Sequence, residues 1–121
     1  MSFLKKLRAV RGAITSENTK EKIKEDTLLL YTKIIELNNI KESDIVSVQF
    51  SLTFDLVAYN PCTALREMGL LEQTALFSTV EPEIEGSLSH VIRVLILYYG
   101  RQKPVFVYEK GATILRGTQC R

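Results

Sequence analysis

The sequence predicts an α+β fold, a single domain in which a mixed β-sheet is packed by helices. Three observations predict it. Apolar runs at 4–13, 45–53, 73–80 and 90–99 have the length and content of strands. Between the first two, apolar residues recur at three- and four-residue steps over some five turns, and a capped Asn-Pro pair later opens a second, shorter helix. The resulting order, β-α-β-α-β-β with a closing strand, implies a mixed sheet.

The first strand spans 4–13 (LKKLRAVRGA), with Leu7, Ala9 and Arg11 on one face and Arg8, Val10 and Gly12 on the other. Gly12 and Ala13 leave room beside Arg11 for something to approach the backbone. Taken alone, Arg11 reads as a solvated charge at a strand end. Ser16, Glu17, Asn18 and Thr19 then cap a helix that runs to Asn38 or Asn39. Ile23, Thr27, Leu30, Ile34 and Leu37 mark its buried face, and the lysines and glutamates at 20–25 its solvated face. A polar connection at 41–44 leads to the cleanest strand, 45–53 (IVSVQFSLT). There Val46, Val48, Phe50 and Leu52 alternate with the uncharged polar set Ser47, Gln49, Ser51 and Thr53. Such a polar face suits a subunit contact.

Asp55 is placed to cap a short helical turn through Tyr59. Asn60-Pro61 opens the second helix, with Ala64, Leu65 and Met68 on its apolar side and Gly69 at its end. Arg66 on this helix reads locally as a surface ion-pair partner. The strand 73–80 (QTALFSTV) is broken by Glu81-Pro82, and a loop carrying Glu81, Glu83 and Glu85 follows. Residues 105–108 and 112–116 read as a hairpin turning through 109–111, and 117–121 as a flexible tail. Tyr108 reads as a packed aromatic.

The run at 90–99 (HVIRVLILYY) is the most apolar in the chain and the candidate central strand, yet it contains Arg93. A guanidinium there is costly unless an anion meets it. Either an internal carboxylate such as Glu81 pairs with it, or it lines a pocket for an anionic ligand.

Composition limits the functional classes. The 121 residues carry a net charge of +2, too little to argue for nucleic-acid or membrane binding. No apolar run reaches the ~18 residues of a membrane span. The N-terminal residues lack the apolar core and cleavage site of a signal peptide. Two cysteines, Cys62 and Cys120, point to reduced thiols in a cytoplasmic protein. With one histidine, His90, and no Cys-x-x-Cys, the chain offers no zinc site.

The segments VRGAIT (10–15), SLTFDL (51–56), ALREMG (64–69), EIEGSL (83–88), IRVL (92–95) and VYEKGATILR (107–116) occur in an order and spacing that resemble the small monofunctional chorismate mutases of the trimeric AroH class. The resemblance covers nearly the whole chain, read as one domain over 1–121. It implies rearrangement of chorismate to prephenate in aromatic amino-acid synthesis, with no cofactor. It also implies a homotrimer, a pseudo-α/β-barrel with active sites between subunits. By the same resemblance, Arg11 and Tyr108 bind substrate carboxylate. Arg93 meets the ether oxygen and the enolpyruvyl carboxylate, Glu81 accepts from the substrate hydroxyl, and Arg66 comes from the adjacent subunit. Leu115 and Arg116 match the pocket wall near the tail.

The sequence departs from the family's pattern at three positions. Ser78 stands where a cysteine often sits beside the hydroxyl-binding glutamate, and its hydroxyl can keep a hydrogen bond. Asn60 replaces a common aromatic and Thr63 a common basic residue, both on the neighbour's helix, which shifts weight onto Arg66. Glu83 rivals Glu81, but the spacing back from Arg93 favours Glu81. The short tail lacks a proline after Arg116, unlike a tail that serves as a flap. Two other classes share an interfacial carboxylate-binding arginine: a small trimeric deaminase-like enzyme and a non-catalytic binding module.

Overall fold

In the computed structural model, which describes residues 4–116, every strand belongs to one five-stranded sheet. The elements in chain order are β1 (Lys6–Thr15), α1 (Lys20–Leu37), a 3-10 turn (Glu42–Asp44), β2 (Ile45–Leu52), α2 (Pro61–Glu67), β3 (Ala75–Val80), β4 (Val91–Gly100), β5 (Val107–Glu109) and a closing 3-10 segment (Lys110–Leu115). The sheet order is β3-β2-β4-β1-β5. β4 lies in the middle, antiparallel to both β1 and β2, and the two outer pairings are parallel. The mixed α+β sheet expected from the sequence is thus present.

Register divides the sheet into two unlike faces. On one, the row Phe50–Val94–Gly12–Val107 runs straight across β2, β4, β1 and β5. Val48, Ile96, Val10, Ile14 and Ile92 extend it, and Ile23, Leu30, Ile34 and Leu65 of the helices cover it to form the main core. On the other face, the row Ser51–Arg93–Ala13–Tyr108 crosses the same strands. The next row there is Gln49–Leu95–Arg11. Neither α1 nor α2 covers this second face; the closing 3-10 segment covers only its Ala13–Val91–Tyr108 end, and Leu7, Phe77, Leu95 and Tyr99 stand exposed elsewhere on it.

Local chemistry fixes the elements. Thr19 caps α1 by accepting from the amide of Lys22 at 3.1 Å. Buried Asn38 ends it and bonds both polar groups of Val105, which ties the helix to the segment before β5. A Cβ on Gly12 would stand 2.7 Å from the carbonyl of Val107 and 2.9 Å from Ile34 Cδ1. Only glycine lets β5 and α1 close this tightly on β1. The wholly buried carboxylate of Asp26 is met by Lys110, which pins the closing segment to α1.

The structure corrects several sequence expectations. Residues 55–59 form no helical turn. The Asp55 carboxylate accepts from the His90 amide at 3.2 Å and from the Thr53 hydroxyl, while Asn18 takes the amides of Val57 and Ala58. Those are the groups a helix start would have used. No hairpin forms at 105–116. β5 finds its partner in β1, Lys110 turns the chain at φ 52°, and 110–115 coils back so that Gly111 donates to Thr15. Val46 is exposed because a bulge between Ile45 and Ser47 breaks the alternation. Leu37 and Met68, at helix ends, are about half exposed rather than buried. β1 begins and ends two residues later than expected, β3 starts at Ala75, and β4 runs 91–100. The tail at 117–121 and Cys120 lie outside the described residues.

Burial, with Glu42 as a lesser cause, pushes the Tyr31 phenol up to about 12. A raised folded-state value means its contribution is whole below pH ~10 and fades as pH rises towards 12. Urea unfolding across that window should show wild type losing roughly 1–3 kcal/mol that Tyr31→Phe keeps. Lys110, held above its ordinary value by its bond to Asp26, acts in the same direction in both proteins and cancels. Equal alkaline losses in the two would refute the assignment.

Candidate active site

The face away from α1 and α2 carries an open cleft of about 360 Å³. Its floor is the two rows described above: Arg93 and Leu95 from β4, Ser51 and Gln49 from β2, Arg11 from β1 and Tyr108 from β5. Each side chain owes its place to strand alternation. Arg93 lies in a strand whose neighbours Ile92 and Val94 point into the core, so it must point the other way.

Arg93 is flanked by Glu81, whose Oε1 lies 3.4 Å from Arg93 Nε; both side chains are about four-fifths buried. The contact is an ion pair but not a hydrogen bond, because Nε is among the buried nitrogens without a hydrogen-bond partner. Glu81 is the first residue past β3, and its amide donates to Leu52 at 2.7 Å, which fixes where the carboxylate emerges. The hydroxyl of Ser51 donates to the same Oε1. Arg93 thus has the internal carboxylate partner of the first reading, and it also lines a cleft.

Arg11 Nε is likewise buried without a hydrogen-bond partner, and its guanidinium lies 4.8 Å from the centre of the Phe106 ring. Tyr108 is 5 % exposed and packs with Ala13, Val91, Ala112 and Leu115 in a satellite core. Leu115 also borders a second opening, shared with Arg93 and the 81–89 loop. Arg116 donates to the Tyr108 carbonyl at 3.2 Å and faces a groove with Arg11 and Lys33. Arg11, Arg93, Glu81, Tyr108, Leu115 and Arg116 are thus brought together within one chain.

Asn60, Thr63, Arg66 and Ser78 are not. Asn60 caps α2, accepting from Cys62 at 2.8 Å, and Ser78 donates to it at 3.3 Å. Ser78 pairs in register with Phe50, and so sits on the helix side of β3 rather than beside Glu81. Burial pushes the Cys62 thiol up, and the nearby Ser78 hydroxyl and Arg66 charge oppose this. Arg66 is spread across backbone carbonyls, with Nη1 donating to Leu71 and Glu72 and Nη2 to Thr74. Thr63 is exposed on the same helix.

Phe106, Gln49 and Ser51 are among the lining residues that sequence reasoning missed. Phe106 stacks on Arg11 from a segment read only as a hairpin strand. Gln49 and Ser51 belong to the polar face that was noticed on β2, but no pattern within β2 says that Arg93 lies opposite. The cross-strand register alone reveals it.

Two arginines and a tyrosine line this cleft on an α+β sheet, with a glutamate beside one of the arginines, an arrangement whose chemistry suits carboxylate and hydroxyl groups. The chain belongs to the chorismate mutase type I family, whose description matches residues 7–118. It is 39% identical over 94 residues to chorismate mutase AroH of Thermus thermophilus, covering 76% of each chain. It is 37% identical over 91 residues to chorismate mutase AroH of Bacillus subtilis, covering 74% of this chain and 72% of that one. Among solved structures it is similar to a chorismate mutase from Clostridium thermocellum, with a TM-score of 0.85 and 37% identity, over 89% of this chain and 99% of the other. The deaminase-like enzyme and the binding module find no support in these relatives. No described helix is long and apolar enough to cross a membrane.

Proposed function

We propose that this protein converts chorismate to prephenate in the cytoplasm as a homotrimer, with each active site built from two subunits. The observation that carries the reading is Arg93, braced in the central strand beside Glu81 and facing the cleft that Arg11 and Tyr108 share. The family assignment supports the activity.

The reaction is a unimolecular pericyclic shift. One C–O bond breaks as one C–C bond forms, with no nucleophile, proton transfer or cofactor. Catalysis rests on two effects. A flexible dianion must be held with its enolpyruvyl side chain folded over the ring. Negative charge gathering on the ether oxygen must meet a fixed cation, which favours the transition state over the substrate. Arg93 fills the second role and also reaches the enolpyruvyl carboxylate. Arg11 and Tyr108 hold carboxylate, and Glu81 accepts from the ring hydroxyl. Leu115 and Arg116 form the wall. No step needs a thiolate, so Cys62 and Cys120 take no part.

Arg66, Asn60, Thr63 and Ser78 complete the site from a neighbouring subunit. Two observations support this. They lie on the helix side of the sheet, out of reach of the cleft in their own chain. The opposite face leaves Leu7, Phe77, Leu95 and Tyr99 exposed, which a second copy would cover.

Purified protein should abolish chorismate absorbance and yield prephenate; an inert, folded protein refutes the function. Citrulline at position 93 keeps the shape of the side chain and loses its charge. It should lower kcat by about 10²-fold or more with a smaller change in KM, and near wild-type turnover would mean positioning alone suffices. Mixing Arg66→Ala chains with Arg93→Ala chains should restore activity through trimers that regain an intact site. Verified exchange without recovery would refute site sharing.

A further inference from the structure

The carboxylate of Glu81 has two oxygens, and the structure treats them differently. Oε1 is the oxygen nearest Arg93 Nε, and it is also the oxygen to which Ser51 donates. Ser51 is directly opposite Arg93 across the β2–β4 ladder and beside Thr79 across the β2–β3 ladder. Its hydroxyl therefore stands between the strand that holds the arginine and the strand end that releases the glutamate. Ser78, the serine singled out from the sequence as the partner of Glu81, turns away to Asn60.

From this we infer that Ser51 is a positioning residue for the rearrangement: it holds Oε1 of Glu81 against Arg93, so that Oε2 is presented to the substrate's ring hydroxyl. The inference rests on the reading of Glu81 given above. Without the serine, the carboxylate can rotate and close a two-oxygen fork on the Arg93 guanidinium. Such a fork is the preferred geometry of that pair, and it would draw both partners away from substrate. A hydroxyl donor on Oε1 restrains the rotation at little cost, because Ser51 lies in a rigid strand with few rotamers to lose. The restraint acts before substrate arrives, as preorganisation requires.

The test is a double-mutant cycle with kcat and KM measured separately on chorismate. The variants are Ser51→Ala, Glu81→Gln and the pair, with Ser51→Thr as the conservative rescue. Ser51→Ala should lower kcat/KM about 10- to 150-fold, the size of one lost hydrogen bond to a charged group. Ser51→Thr, which keeps the hydroxyl, should recover most of the loss. In the Glu81→Gln background the Ser51→Ala loss should shrink to less than twofold, since a neutral amide with one oxygen cannot close the two-oxygen fork that the serine prevents. Full turnover by Ser51→Ala overturns the inference. An undiminished Ser51→Ala loss in Glu81→Gln also overturns it, and shows that the serine acts on packing rather than on the carboxylate. Wild-type turnover by Glu81→Gln overturns the reading of Glu81 itself and this inference with it, so the two failures are told apart.

Discussion

A guanidinium set in the middle strand of a sheet is the constraint on which this structure depends. β4 has neighbours on both sides, and four of the five side chains at 92–96 that could exclude water are apolar. An arginine there cannot escape to solvent by moving with its strand. It can only be compensated in place. Glu81 compensates it in part, at a distance short of a hydrogen bond, and the cleft beside it stays open. A perfectly satisfied pair would give a more stable protein and a worse site. The buried nitrogens left without partners on Arg93 and Arg11 are what remains for a ligand to satisfy.

The division of labour between the two sheet faces follows from the same constraint. Strand alternation sends Ile92, Val94 and Ile96 to the helices and leaves Arg93 and Leu95 on the reverse. The core face can then be packed for stability alone, with Gly12 opened to admit β5 and α1. Stability and chemistry are separated by one residue of register, so a slip on β4 would exchange them. The closing segment reinforces this arrangement. Lys110 reaches buried Asp26 on α1, and Lys33 of α1 pairs with Glu109 at 2.7 Å, so the short β5 that carries Tyr108 is clamped from its C-terminal side.

Much of this was legible in the sequence because the informative residues obey local rules. Thr19, Asn38, Asn60-Pro61 and the alternating β2 each signal an element through capping or period, and each was placed within a residue or two. Arg93 announced itself by violating the pattern around it, as site residues tend to do. The failures have a common cause. The expected hairpin at 105–116, the helical turn at Asp55 and the buried positions of Val46 and Leu37 were all inferred from neighbours in sequence. Three were decided by a partner far along the chain, β1 for β5, His90 for Asp55 and the bulge opposite Tyr98 for Val46, and Leu37 by its place at the last turn of α1. Ser51 belongs with them. Its residue type and period were plain, but its meaning lay in which residue stands across the ladder.

The placement of Arg66 and Ser78 extends the argument to assembly. A single sheet can present two faces, but it cannot aim α2 at the face α2 does not cover. Within one chain the α2 group is tied up locally, with Arg66 spread across three carbonyls and Ser78 bonded to Asn60. Those bonds fix the guanidinium without consuming all five of its donors. A side chain so anchored has little rotamer freedom left to lose on meeting a ligand. That is an advantage only if the ligand arrives from outside its own protomer. The same holds for the uncovered face, where exposed Phe77, Leu95 and Tyr99 share a surface with cations whose pull is weaker in bulk water. In the proposed homotrimer, another copy covering that face would exclude water from Arg93 and bring anchored donors to the cleft's open side. Electrostatic catalysis of a reaction that needs no chemical group from the protein gains most from that exclusion.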